Sequence, residues 1–313
     1  MSLGQKKIEE IVSESIDLHV HVGPDVLPRK YTIEQLVAEE EGHLAGFCPK
    51  THSFPPAAYV AEYLTTHTTK MKIMGSVTLN YFIGGFNSSA VYAASQITKG
   101  PVMVWFPTVH AENHLKRSKS EFEIPPDWVK DPNFIPRKKT ELKSIRVTDW
   151  NNRIFEKCDR VLSMMERMGC ILATGHLSAE EGEVLILEAL RRGIPSIYTH
   201  VIQRDVVLPV EQQKKIAAAG AIIEHSYIVW RDRDNPGDYP FEEQVRQIHE
   251  VGPKHCILSS DCGQKHNPPP SQCLAEYIEH LTDHGLKEED VRTMLIDNPR
   301  RIMERKWEIP RRH

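Results

Sequence analysis

The sequence predicts an α/β protein, a (β/α)8 TIM barrel with a long insertion after its fourth strand. Three observations carry that prediction. Apolar strand-like runs alternate with helix-like stretches along most of the 313 residues, the pattern of a parallel sheet flanked by helices. Four of these runs close on a metal-capable side chain: Ile16-Asp17-Leu18-His19-Val20-His21, Cys170-Ile171-Leu172-Ala173-Thr174-Gly175-His176, Ser196-Ile197-Tyr198-Thr199-His200 and Cys256-Ile257-Leu258-Ser259-Ser260-Asp261. The count of eight strands, with those four spread from one end of the chain to the other, favours a closed barrel over an open doubly wound sheet. Side chains projecting from C-terminal strand ends build a site at a barrel mouth.

The elements follow in order. Residues 5–15 read as a short leading helix and 15–22 as the first strand. Thr32-Ile33-Glu34-Gln35 opens a helix as a capping box does, and Gly42 fits its end. A second strand spans 45–52. Pro55 and Pro56 stand at the entry of a helix over 56–68. The third strand covers 72–79. The Gly84-Gly85-Phe86-Asn87 turn leads into a helix at 88–99, and 102–108 is the fourth strand. The alternation then breaks. Residues 111–149 are polar, irregular and rich in proline (Pro125, Pro126, Pro132, Pro136). A loop this long inside a compact domain is functional or unstructured; a lid over the barrel mouth and a solvated insertion are both open. A helix near 150–168 and the strand to His176 restore the pattern. Ser178-Ala179-Glu180-Glu181 is a second capping box, so Glu181 reads as a cap before it reads as catalytic. The strand to His200, a helix at 209–219, a seventh strand over 221–228, a helix at 240–251 and the eighth strand at 256–261 follow. Helices at 272–284 and 288–303 close the chain.

Size and composition bound the function. A barrel of this type takes about 250 residues as one unit, so residues 1–313 are expected to form a single domain. Hydrophobic residues at 40% and charged residues at 26% are ordinary for a globular protein. A net charge of -4 gives no basic face for nucleic acid. No stretch of about 18 apolar residues is present to span a membrane, and the N-terminus lacks the apolar run of a signal peptide. The six cysteines show no CxxC spacing, so free thiols in a reducing cytoplasm are expected.

His19 and His21, two apart on a strand, point to one side, with Leu18 and Val20 on the other. Two imidazoles inside a barrel are costly unless they hydrogen-bond or bind a metal, and a divalent transition metal gives each nitrogen a partner at roughly 2.0–2.1 Å. His176 and His200 are weak signals singly; a lone histidine at a strand end is more often a structural hydrogen-bonder. Asp261 is sharper, because a carboxylate leaving the last strand can hold a metal and take a proton from water. Lys50 and His52 share a side at the end of the second strand. Lys50 is a bridging ligand, a cation for an anionic substrate, or a surface residue. His52, His225 and His110 are candidate substrate-binding residues, while His110 and His114 flank a loop and read equally well as solvated.

The ordered set, His-x-His on strand one, histidines on strands five and six and aspartate on strand eight, resembles the amidohydrolase superfamily. The likeness runs from Asp17 to about Met303. Asn298-Pro299-Arg300-Arg301-Ile302 is similar to the Asn-Pro segment that often follows the last strand in such hydrolases. The resemblance implies one or two divalent metals, most often zinc. His19, His21 and Asp261 would hold the first, and His176 and His200 would hold a second, or orient the water if only one metal binds. Asp261 would be the general base while metal-activated water attacks a carbonyl or phosphoryl centre of a small molecule: an amide, lactone or phosphoester. Binuclear members commonly bridge their metals with a carboxylated lysine or a glutamate from strand four. Here that strand has no lysine, and Glu112 lies beyond it in the loop. A mononuclear lyase or decarboxylase, and a non-catalytic metal-binding barrel, are the alternatives. Barrels of this kind often associate, so a homo-oligomer is an expectation.

Overall fold

The computed structural model describes residues 3–117, 134–135, 141–202, 206–231, 240–304 and 306. The strands are β1 (Ile16–His21), β2 (Gly46–Lys50), β3 (Lys72–Ile73), β4 (Ser76–Thr78), β5 (Met103–Trp105), β6 (Ile171–Ala173), β7 (Ser196–Tyr198), β8 (Ile222–Ser226) and β9 (Cys256–Ser259). Every pairing is parallel, in the orders β1-β2-β3 and β4-β5-β6-β7-β8-β9. The expected third strand is split at Met74-Gly75, so nine segments occupy eight barrel positions. Gly75 is tightly enclosed there; a Cβ would stand 2.7 Å from Thr98 Cγ2. Side chains stitch the seam between β2 and β4: Ser76 Oγ donates to Pro49 O and Thr78 Oγ1 to Thr51 O. At the other seam Asp261 N–H donates to His19 O at 2.9 Å, and His21 N–H to Cys262 O at 2.7 Å.

The helices are α1 (Gln5–Glu14), α2 (Ile33–Glu40), α3 (Pro56–Thr66), α4 (Ser88–Thr98), α5 (Glu112–Arg117), α6 (Glu156–Met168), α7 (Ala179–Arg191), α8 (Val210–Ala218), α9 (Tyr227–Arg231), α10 (Phe241–Val251), α11 (Pro270–Asp283), α12 (Glu288–Arg292) and α13 (Asn298–Met303). The expected last helix is α12 and α13 joined by a π-helical stretch, Thr293–Asp297. The capping box of α2 is complete, with Thr32 Oγ1 accepting from Gln35 N and Gln35 Oε1 from Thr32 N. That of α7 is half used. Ser178 Oγ accepts from Glu181 N, but the Glu181 carboxylate takes Val147 N–H at 2.8 Å and so ties down the end of the insertion. No helix among the described residues is long and apolar enough to cross a membrane.

Two apolar layers follow from strand alternation. Ile16, Leu18, Met103, Trp105, Ile171, Ile197, Ile222 and Ile257 fill the barrel. Val20, Phe47, Val104, Leu172, Ile223 and Leu258 pack outward with helix residues such as Leu36, Ile186 and Leu274. In β1 the alternation is interrupted, because its register shifts between Asp17 and Val20. Leu18 therefore lies inside with Ile16 while Val20 lies outside, which corrects the expectation that they share a side. The bulge lets His19 face inward directly after an inward leucine. Asp17 holds it, its carboxylate accepting from His19 N–H and Ser260 N–H.

Parts of the 111–149 segment are described. Ile145 N–H donates to His110 O, and Glu112 N–H to Ile145 O. Leu115 and Leu142 pack with Leu27 and Val109, and Phe134 leans on them. Residues 118–133 and 136–140, which include all four prolines of this insertion, lie outside the described residues.

Candidate metal centre

Asp261 is the hub. Its Oδ1 stands 3.0 Å from His19 Nε2 and 3.1 Å from His21 Nε2, and its Oδ2 stands 3.8 Å from His200 Nε2. Donor atoms of His19, His200 and Asp261 all lie within 4.8 Å of one another, and all three residues are buried. The opposite nitrogen of His19, Nδ1, is 2.9 Å from Glu224 Oε1, and Ser259 Oγ donates to the same oxygen at 2.6 Å. An ionised carboxylate only accepts, so Nδ1 carries the proton and Nε2 points its lone pair at Asp261. Two acceptors 3.0 Å apart repel unless a cation stands between or beside them, a place that the Lys50 amine, 2.8 Å from the same Nε2, or a metal ion can take. His21 Nδ1 and His200 Nδ1 have no hydrogen-bond partner among the described residues. Imidazole and carboxylate donors converging in this way, with a carboxylate behind one imidazole, fit a divalent transition metal.

Backbone strain concentrates at the same place. His200 has φ 58° and Asp261 φ 52°, left-handed values for residues that are not glycine. Gly263 follows at φ 124°, where a Cβ would meet His21 O at 2.0 Å. Strain of this kind persists only where the surroundings fix it; for Asp261 the seam between β9 and β1 does so, through its N–H to His19 O.

Burial sets the electrostatics. It pushes the imidazoles of His21, His52 and His176 well below their ordinary range, and His200 down to about 4 despite Asp261. In His19 burial acts the same way but is outweighed by Asp261 and Glu224, so its pKa is raised. For Asp261 burial would favour the neutral acid. The imidazoles of His19 and His21 facing its carboxylate oppose that and hold it well below the carboxylate range. Asp261 is thus an anion among mostly neutral imidazoles, the protonation pattern a cation requires.

Lys50 is fully buried, which removes the surface-residue alternative. Its Nζ lies 2.8 Å from His19 Nε2 and 4.3 Å from the centroid of the Trp105 ring. Burial lowers its pKa to about 8, against the pull of Asp261 and Glu224. Trp105, on the fourth barrel strand, points inward, and Lys50 reaches across it from the second strand. Glu112 is engaged elsewhere, 2.7 Å from Arg146 and 3.0 Å from Lys116.

Further toward the mouth lie His52, His176 and His114. His52 Nδ1 is 2.9 Å from Thr108 Oγ1, and its ring centroid is 4.9 Å from that of His21. His176 Nδ1 is 3.1 Å from His114 Nδ1, and its ring lies 5.5 Å from His200. The structure thus groups His200 with His19 and Asp261, and sets His176 beside a histidine that α5 contributes. His114 is buried rather than solvated. His110 is buried too, its ring against Tyr81 and Phe82.

His225 does not join the cluster. It follows inward Glu224 on β8 and pairs in register with outward Leu258, and neither ring nitrogen has a partner among the described residues. Its role as a substrate-facing residue is corrected by strand alternation, which turns it toward the helix layer. Glu224 is the residue the sequence reading missed. The available signal was its spacing of two from Ile222, which shares its face.

The fold and this histidine–carboxylate cluster define a TIM barrel with a candidate metal centre at its mouth. Among solved structures the chain is similar to the probable dipeptidase PvdM of Pseudomonas aeruginosa, at 13% identity and TM-score 0.61 over 96% of this chain and 97% of that one. An amidohydrolase from the same organism is 12% identical, with TM-score 0.54 over 97% and 99%. The organophosphorus hydrolase of Deinococcus radiodurans is 12% identical, with TM-score 0.50 over 94% and 93%. At these identities the likeness is one of fold. No curated protein matches the chain in sequence. Residues 14–224, more than half of the chain, match the family described as "Family of unknown function (DUF6282)", and the chain belongs to that family.

Proposed function

We propose that the protein is a metal-dependent hydrolase of small molecules, acting on an amide, lactone or phosphoester, with Asp261 as general base. The observation that carries this reading is the convergence of His19, His200 and Asp261 on one point, with His19 oriented by Glu224. Zinc suits that donor set best. A bound divalent ion would lower the pKa of nearby water to roughly 7 and polarise the oxygen under attack. Asp261, held anionic, accepts the water's proton and returns it to the leaving group. His52, anchored on Thr108, and His176, anchored on His114, face the incoming substrate. Leu115 and Leu142, packed on Leu27 beside the mouth, support a lid role for the insertion. The six cysteines, all buried and free, suit a reducing cytoplasm.

Lys50 decides the metal count. Carboxylated on Nζ it would supply two oxygens beside His19 and bridge two ions. As a free amine it holds that space with a positive charge and leaves one ion, the arrangement of the second reading, a mononuclear lyase. Metal analysis and anomalous scattering, with and without bicarbonate, separate the two. A bicarbonate-dependent rise from one ion to two, lost in Lys50→Met, is expected for the hydrolase. A panel of esters, lactones, amides and phosphoesters tests the chemistry. Asp261→Asn is expected to lower turnover by about 10²–10⁴-fold; unchanged turnover, or no ion at His19, refutes the reading.

A further inference from the structure

We propose that Arg29 is an anion-binding residue at the barrel mouth, and that the substrate carries a carboxylate or phosphate which it holds. This rests on the reading of the cluster as a catalytic site. The loop after β1 places Asp25 and Arg29 side by side, with side chains 0% and 2% exposed. Arg29 Nε and one Nη donate to Asp25 Oδ2 at 3.1 and 2.9 Å. Among the described residues no acceptor meets the other Nη. That Nη is left for a ligand or water to meet.

The loop is tied to both sides of the site. Asp25 accepts from His52 N–H, Ser53 N–H and Ser53 Oγ, which clamps the guanidinium to the end of β2. Arg29 also bridges Gln264, and Lys30 N–H donates to Gly263 O, which ties the same loop to the segment following Asp261. Arg29 therefore sits between the His52 and Asp261 sides of the mouth. Four donors share the Asp25 charge with Arg29, so the guanidinium keeps positive charge for a second partner. Its planar fork matches an oxyanion.

The test is calorimetric titration of the metal-loaded protein with succinate, inorganic phosphate and neutral dimethyl succinate. Arg29→Met strands the buried Asp25 carboxylate, so Asp25→Asn/Arg29→Met is measured beside it, with metal content and melting temperature as controls. Wild type is expected to bind succinate or phosphate more tightly than the diester. Both variants are expected to lose about tenfold or more of that affinity while keeping metal and leaving diester binding unchanged. Arg29→Lys keeps charge without the fork and falls between. The anion that loses affinity identifies the substrate group. Equal anion affinity in wild type and variants would assign the anion to the metal and overturn the proposal, as would no preference over the diester. A wild type that holds no metal refutes the hydrolase, while its anion titration still reads Arg29.

Discussion

Glu224 and His225 are neighbours with opposite fates, and the difference is one strand position. Glu224 reaches into the barrel and fixes the tautomer of His19. Glu224→Gln is expected to weaken metal binding by about 10–100-fold, measured by competition with a chromophoric chelator. His225 is turned outward, and burial holds its pKa down to about 3. That lies below the roughly 6.5 of an unfolded histidine, so the unfolded chain takes up the proton first on acidification. The stability this group contributes is complete above pH 6.5 and is lost as the pH falls from there toward 3. By pH 4 the loss is about 3 kcal/mol. His225→Leu removes this slope and two unpartnered ring nitrogens, so its urea stability at pH 7 should be unchanged or higher and its acid sensitivity smaller. Lost turnover in that variant would restore a substrate role for His225.

At the scale of elements, strand ends and the turns that follow them carry the chemistry. The ladders stop at Trp105, Ala173, Tyr198 and Ser259, while Thr108, His176, His200 and Asp261 lie two or three residues beyond. There the chain leaves the barrel and side chains can converge. Gly263 is the tightest of these turns. Gly263→Ala would drive a Cβ into His21 O, and is expected to lower both melting temperature and metal content. Helix caps act more gently. Thr32→Ala removes a complete capping box from α2 and should cost about 1 kcal/mol without changing metal content, as read from chemical denaturation.

For the whole molecule, the centre is where the two ends of the barrel meet: His19 and His21 come from the first strand and Asp261 follows the last. An ion bound there links β1 to β9 only in the folded chain, so it stabilises the barrel as a whole. Stripping it with a chelator should lower the melting temperature, by the equivalent of about 3 kcal/mol where the ion is at a hundred times its Kd. The fall should vanish in Asp261→Asn. An unchanged melting temperature in the wild type would remove the ion from the fold's energetics.

The alternation of strands and helices, the capping boxes and the metal-capable strand ends are local patterns, readable because burial repeats at fixed spacing along one segment. The barrel class and the positions of His19, His21, His176, His200 and Asp261 at its mouth follow from them. Local pattern could not place Leu18 and Val20 on opposite faces, since the bulge between them is held by Asp17 reaching Ser260 on the last strand. Nor could it bring Glu224 to His19, seat Lys50 of the second barrel strand over Trp105 of the fourth, or bring His114 of the insertion to His176. Each of these contacts joins residues far apart in the chain. They arise because closing the barrel leaves one buried mouth in which every charge must find a partner.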